Sequence, residues 1–344
     1  MLTDRPLRRL SESSLTLPAA AVAATLTWWL PWGGYSLRLL AGWVACALTA
    51  YVVIETAAVH ALLRMRSRMV STVFLLLMAV ATPLHELQGG TIAALALALT
   101  VRSLFDTAAA VRPEPDTLYA CLMLSAGSLA WPPLLWLAPV LMLCQAVHMR
   151  TLTPRSLAAA LMGLMVPYAL WATAAFATGR WQPLAEHLGT MASPVAAPLR
   201  SLSTGQPLLP DIYLQWLSSA DTDALRHSIA AWARPRAAIV ASAGAAVLFA
   251  VTGVAHYLGV SADDKIRVRT CHYAYITILC TIVLWMLLQP RYGRQLLPLL
   301  IVTLAPSAAH YIALSRSRLA PFWAAVLALA LVAALAVSIV AGMA

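Results

Sequence analysis

The sequence predicts an all-α, polytopic transmembrane bundle of about eleven spans, forming one integral membrane domain over residues 1–344. Three observations carry this. Of the 344 residues 61% are hydrophobic and only 10% charged, whereas a soluble domain is near a quarter charged. Apolar runs of about 18 residues or more recur along the whole length. The segments between them are, with one exception, too short to fold alone.

The spans fall at roughly 15–31, 36–63, 69–84, 91–110, 117–131, 133–149, 157–178, 237–258, 270–289, 295–314 and 320–342. The opening "MLTDRPLRRL" and the apolar stretch after it resemble a signal peptide. So many spans follow that an uncleaved first helix is the expectation. Arg5, Arg8 and Arg9 before the first span, Arg64, Arg66 and Arg68 after the second and Arg112 after the fourth place the N-terminus in the cytoplasm, by the positive-inside rule.

The fifth and sixth spans meet at Trp131-Pro132-Pro133. Two adjacent prolines remove two backbone donors and crowd the preceding turn, which favours a break and hence a hairpin of two short helices. As one kinked helix over 117–149, the same stretch leaves ten spans and inverts everything downstream. Charge counting does not separate the two topologies. Each puts 14 basic residues inside and eight outside, with Arg102 inside the membrane. Five of the seven disputed outward residues lie in a long loop, where they weigh less, so the hairpin is preferred.

The exception among the connections is 179–236, placed outside the membrane between spans seven and eight. Within it, "DIYLQWLSSADTDALRHSIAAW" reads as an amphipathic helix with Tyr213, Leu214, Trp216, Leu217 and Leu225 on its apolar face, suited to the membrane surface. Further on, Ser261 followed three residues later by Asp264 has the spacing of a capping box and predicts a helix start.

The net charge of +10 is almost all arginine, since Lys265 is the only lysine. A basic balance in so apolar a chain points to loops facing anionic lipid; no run resembles a nucleic-acid patch. Cys46, Cys121, Cys144, Cys271 and Cys280 lie in or beside spans without a CxxC pair. They read as small core residues rather than disulfides or zinc ligands. No cofactor or metal motif is present in the sequence.

Ionisable groups at membrane depth are costly and mark functional candidates. Arg102 and Asp106 are four apart on one helix and can pair with each other. Glu55, with His60 five residues on, reads as the most buried carboxylate: a proton relay or substrate contact, or a partner of Arg102. His148 and His310 near predicted cytoplasmic ends read as interfacial, and His85-Glu86 sits at an outward turn. In "QPRYGRQ" Arg291 and Arg294 are three apart around Tyr292 and Gly293. Facing outward with Arg200, Arg226, Glu186 and His187, they suit a lipid-linked pyrophosphate, because paired guanidiniums hold phosphate oxygens. Arginines at helix ends also snorkel to lipid phosphates, which is the plainer reading.

Residues 98–170 resemble a family of uncharacterised multi-spanning inner-membrane proteins from Bacteroidetes-type bacteria. The likeness lies in the small-residue helix that ends in prolines, the basic turn before "LTPRSL" and the "GLMVPY" helix. It implies an inner-membrane location and supplies no activity. The layout is also similar to that of polyprenyl-linked glycan polymerases and ligases, which implies a transferase working on a lipid-linked anionic substrate. Related glycosyltransferases carry an acidic catalytic residue in a long first outer loop; here "PWGGYS" is short and has none. That leaves Glu86 or Glu186, with His187, for the catalytic role. Two other classes stay open: a non-catalytic subunit scaffolding an envelope-assembly complex, and a transporter with a polar path through Glu55, Arg102 and Asp106.

Overall fold

The computed structural model describes residues 11–29, 36–63, 68–203, 213, 222–315 and 319–343. Among them all regular structure is helical: α1 Thr16–Trp29, α2 Leu37–Val59, α3 Met69–Val80, α4 Gly89–Thr107, α5 Glu114–Ser128, α6 Ala138–Cys144, α7 Pro154–Thr178, α8 Gln182–Ser203, α9 Thr222–Ala233, α10 Ala237–Val260, α11 Ile266–Leu288, α12 Gly293–Leu314 and α13 Ala320–Met343. With their flanking 3-10 and π turns, eight helical segments are long and apolar enough to cross a membrane. Arg5, Arg8, Arg9, Arg64, Arg66, Arg316 and Arg318, the side chain of Arg200, and Leu214, Trp216 and Leu217 of the expected surface helix lie outside the described residues.

Local chemistry sets the helix ends. Ser36 caps α2 by accepting from Leu39 N–H. Thr153 and Ser156 form a reciprocal capping box at α7, with Pro154 in the first turn, where its missing N–H costs nothing. Gly179 closes α7 at φ 67°, a left-handed conformation that suits glycine. The capping box expected at Ser261 does not form. Ser261–Asp263 is a single 3-10 turn, and α11 begins only at Ile266. Asp264 instead turns inward toward the bundle.

At Pro132-Pro133 the helix breaks. Trp131 is extended (φ −141°, ψ 95°), and Pro132–Leu137 is a 3-10 turn leading into α6. The chain reverses there, because Gln145 beyond the end of α6 donates to Thr117 at the start of α5 across 2.7 Å. A β-carbon on Gly89, at the start of α4, would meet the Ala130 carbonyl at 2.7 Å, which fixes the reversal beside that helix.

Such contacts sort the turns to two ends. At one end lie 81–88, 129–131 and 289–292: Leu87 N–H bonds the Arg38 carbonyl, and Arg294 bonds the Pro83 carbonyl. Helix α8, within the stretch expected to be loop, docks at this end. Trp136 donates to the Met191 carbonyl at 2.7 Å, Gln289 to the Pro194 carbonyl at 2.6 Å, and Ser193 pairs with the Tyr292 hydroxyl at 2.7 Å. At the far end lie 60–63, 107–113, 149–153 and 261–265, tied by contacts such as Thr107 to Thr151 (3.3 Å) and His272 to the Leu62 carbonyl (3.0 Å).

Helix α12 runs through the middle, with α3, α4, α10 and α11 around it. In its most apolar stretch 94% of residues are buried, against 17% in α13 and 22% in α7, which are peripheral. Helix α3 has only 12 residues, about 18 Å at 1.5 Å per residue and short of a bilayer core of ~30 Å. It is nevertheless viable, because 11 of its 12 residues are buried by neighbouring protein.

Small residues permit the close approaches. A β-carbon on Gly253 of α10 would meet the backbone of Ser307 and Ala308 in α12 at 2.7 Å, whereas one on Gly259 would meet nothing within 4 Å. Gly253→Val is therefore expected to destabilise the fold by about 1–3 kcal/mol or more, since backbone cannot step aside. Gly259→Ala should be neutral. Thermal unfolding in detergent followed by size-exclusion chromatography compares them; a Gly253→Val protein as stable as its parent would show that α10 and α12 do not touch here.

Candidate functional site

The far end of the bundle holds most of the ionisable groups that the described helices carry inward. Its first half joins α2, α4 and α11. Arg102 sits one turn before the end of α4, reaching Glu55 of α2 at 2.8 Å and Asp106, four residues on, at 3.3 Å. The expected pairing within α4 is present, and so is the alternative pairing to Glu55. Asp106 also faces His60 Nε2 at 3.4 Å, and Arg267 in the first turn of α11 meets His60 Nδ1 at 3.4 Å. Five ionisable groups from three segments thus form one chain of contacts.

Exposure within this chain is uneven. The His60 side chain is fully buried, while those of Glu55, Arg102 and Asp106 retain 44%, 23% and 36% of their surface. Glu55 is therefore not the most buried carboxylate; among the described residues Asp264 is more buried, its side chain 2% exposed. Burial pulls the His60 pKa down to about 4; Asp106 opposes that, and the Arg267 and Arg102 charges reinforce it. Ala61, between the two halves of the layer, holds φ 48°, a left-handed conformation that costs a β-carbon-bearing residue roughly 1–2 kcal/mol. This strained turn puts His60 on one side and the Leu62 carbonyl on the other.

The second half comprises His256 and Tyr257 of α10, Asp264 of the connecting turn, His272 of α11 and His310 of α12. The Asp264 carboxylate lies 3.4 Å from His310 Nε2 and faces the Tyr257 hydroxyl. Tyr257 stacks on His272 with ring centroids 4.2 Å apart, and His256 and His272 each lie 5.6 Å from His310. His310 is 1% exposed and so lies inside the bundle, not at the interface. His148 is half-buried and bonded to Thr277 at 2.8 Å. Sequence reasoning does not single out His256, Tyr257, His272 or Arg267 as functional candidates. The signal that marks the three within the spans is the cost of a polar group at membrane depth; Asp264 is disguised by the charged string "SADDKIRVR" around it.

The groups expected to act together at the opposite end stand apart. Arg291 donates to the Ser193 carbonyl of α8 at 3.3 Å and lies over the Tyr292 ring, while Arg294 donates to the Pro83 carbonyl at 3.0 Å. Neither forms an ion pair with a described carboxylate. Glu86 is exposed on the turn before α4. Glu186 accepts from Gln182 at 3.0 Å on the exposed face of α8. His187 turns the other way, toward the Tyr168 hydroxyl (3.3 Å) and the Trp171 ring, and burial lowers its pKa. Arg226 pairs loosely with Asp223 at 3.8 Å, both well exposed. Among the described residues no three His, Cys, Asp or Glu side chains are grouped to hold a metal ion. Four of the five cysteines are buried, and Cys280 is exposed.

Beside these, His85 is a structural histidine. It stacks on Trp28 at 3.9 Å and bonds the Met78 carbonyl at 3.2 Å, tying α1 to α3, and burial lowers its pKa to about 4. No family model, curated protein or solved structure matches the chain.

His60 and His85 both fall from about 6.5 in the unfolded chain to about 4 when folded. Between those values the unfolded state binds more protons, so acid favours unfolding. Stability is expected to be level above about pH 6.5 and to decline as pH drops toward about 4. Thermal midpoints across that range should show a shallower decline in His60→Gln/His85→Gln; an unchanged slope would refute the assignment.

Proposed function

We propose that this chain is a transporter of the bacterial inner membrane, in which the Glu55–Arg102–Asp106–His60–Arg267 network closes a polar path at the cytoplasmic end. One observation carries this reading: Arg102 is shared by carboxylates on two helices, and all three groups stay partly open. As fasteners they do little, because partly exposed ion pairs contribute only about 0–1 kcal/mol. Charged groups at membrane depth that do not repay their cost in stability are the ones found along solute and proton pathways. His60 lies between an anion and a cation, so a proton gained there redistributes the pairing around Arg102.

Topology supports the same orientation. In this reading the reversal at 129–131 is counted as two crossings of eleven, which groups the seven downstream basic residues Arg150, Arg155, Lys265, Arg267, Arg269, Arg316 and Arg318 with the N-terminal ones and leaves 179–236 outside. Membrane lipids then surround α7 and α13.

The second reading, a transferase or ligase for a lipid-linked anionic substrate, keeps one supporting observation. Arg291 is exposed at the seam between α8 and the 289–292 turn, where a phosphate headgroup has access. Arg294, Arg200, Arg226, Glu86, Glu186 and His187 give it less, since the described ones point to separate partners.

Cysteine labelling tests both topology and path. In a cysteine-free background, Arg155→Cys and Arg291→Cys should react with an impermeant thiol reagent from opposite sides of the membrane. Glu55→Cys and Asp106→Cys should react from the Arg155 side; labelling by lipid-soluble reagent alone would mean a dry seam and sink the path. In proteoliposomes holding a pH-sensitive dye, small carboxylates, phosphates, amino acids and sugars are offered in turn. At least one class should move protons, at a rate lowered about tenfold or more in Arg102→Gln, equivalent to about 1.4 kcal/mol of barrier. Silence for every class overturns the transport reading.

A further inference from the structure

We propose that α8 is a displaceable strap over a seam at the end of the bundle opposite the Glu55–Arg102 network, latched by side-chain donors that grip its residues 191–194. The donors come from two turns. Trp136 of the 132–137 turn donates to the Met191 carbonyl at 2.7 Å. From the α11–α12 turn, Gln289 Nε2 donates to the Pro194 carbonyl at 2.6 Å and Arg291 to the Ser193 carbonyl at 3.3 Å. Where these turns meet, Trp131 stacks on Trp285 at 5.5 Å and faces Tyr292 at 6.1 Å. The strap thus joins the α5–α6 reversal to the α11–α12 turn.

Proline spacing within α8 makes the latch. A helix carbonyl four residues before a proline has no intrahelical N–H to accept. Pro194 frees the Thr190 carbonyl in this way, and Pro198 frees that of Pro194. The Ser193 hydroxyl takes the first at 2.7 Å, and Gln289 takes the second. Ser193 has one proton and gives it to Thr190, so in the 2.7 Å contact with Tyr292 the tyrosine hydroxyl is the donor.

The attachment is shallow. Among the described side chains of α8 only Leu184 and Pro194 are buried, and Leu188 keeps 42% of its surface. His187 adds its contacts with the Tyr168 hydroxyl and the Trp171 ring. Docking also leaves Gln289 Oε1 buried without a hydrogen-bond partner, a cost that release removes. A surface element with few buried apolar side chains opens at low free energy. Gly179, left-handed at φ 67° with open space where a β-carbon would stand, supplies the pivot between α7 and α8. A transporter needs a barrier at each face, and the strap is the counterpart of the Glu55–Arg102 network. That gating role rests on the transport reading; release of the strap does not.

Thiol labelling of the full-length protein in lipid, in a cysteine-free background, tests the strap. Leu184→Cys, on the docked face, should react slowly but completely with an impermeant reagent, and Ala185→Cys, on the exposed face, at once. Tyr292→Phe and Gln289→Leu should each speed Leu184→Cys about fivefold or more and leave Ala185→Cys unchanged. If Gln289→Leu does not fold, Tyr292→Phe, which loses only a hydroxyl, still reports. A Leu184→Cys protein that never reacts, or reacts at a rate indifferent to the latch variants, overturns the proposal. Bridging Ser193→Cys to Tyr292→Cys with a bifunctional thiol reagent should stop proton movement in proteoliposomes; undiminished movement would overturn the gating role. A strap that opens in a protein whose proteoliposomes are silent for every solute would reject transport and leave the strap standing.

Discussion

The enclosure of α12 is the constraint from which the rest of the fold follows. A helix with 94% of its apolar stretch buried has little lipid-facing surface, so every neighbour must fit it closely. Gly253 and Gly90 let α10 and α4 approach its backbone, the latter at Gln295. Thr303 turns its hydroxyl back to the Leu299 and Leu300 carbonyls, both at 3.0 Å, and so satisfies it within the helix. Pro298 and Pro306 each remove a hydrogen bond from the helix, which is tolerable because the surrounding helices exclude lipid. His310, near the end of the same helix, draws Asp264 inward.

The enclosure also explains why the charges gather where they do. The middle of the bundle is filled by side chains such as Leu97, Leu300 and Ile278, all fully buried. Most of the ionisable groups that the described helices carry inward collect instead within two turns of the far end, where partial exposure lowers the desolvation cost of the Glu55–Arg102–Asp106 pairs. The two halves of this layer meet at Ala61, a left-handed residue held by contacts on both sides: His60 to Asp106 and Arg267, and the Leu62 carbonyl to His272. Strain persists only where neighbours over-determine it, and a turn wired to two clusters meets that condition. The α8 end has a different character: tryptophans and tyrosines, among them Trp131, Trp285 and Tyr292 in mutual ring contact, suited to the headgroup region.

Much of the architecture is legible residue by residue. Pro132-Pro133 breaks its helix as two adjacent prolines should, and Arg102 meets Asp106 because i and i+4 share a helix face. Helix α8 is not legible, since its small and polar residues, with Pro183, Pro194 and Pro198 among them, have the composition of a loop. It is held by Trp136, Gln289 and Tyr292 from elsewhere in the chain. Asp264 is obscured for a related reason. Its neighbours Asp263 and Lys265 are exposed, so local composition indicates a solvated turn, while its own side chain points to His310.

The class of the protein and the position of most of its helices follow from the apolar runs alone. In lipid each backbone must satisfy its own hydrogen bonds within a helix, so an apolar run of sufficient length is a helix whatever surrounds it. Which charges meet is a matter of packing. His60 and Arg267 are 207 residues apart, and Ser193 and Tyr292 99 apart. Helices that are apolar on every face carry little local signal of which neighbour each face meets. Only their order and direction around α12 bring Glu55 to Arg102 and Asp264 to His310, and leave Arg291 and Arg294 on different carbonyls.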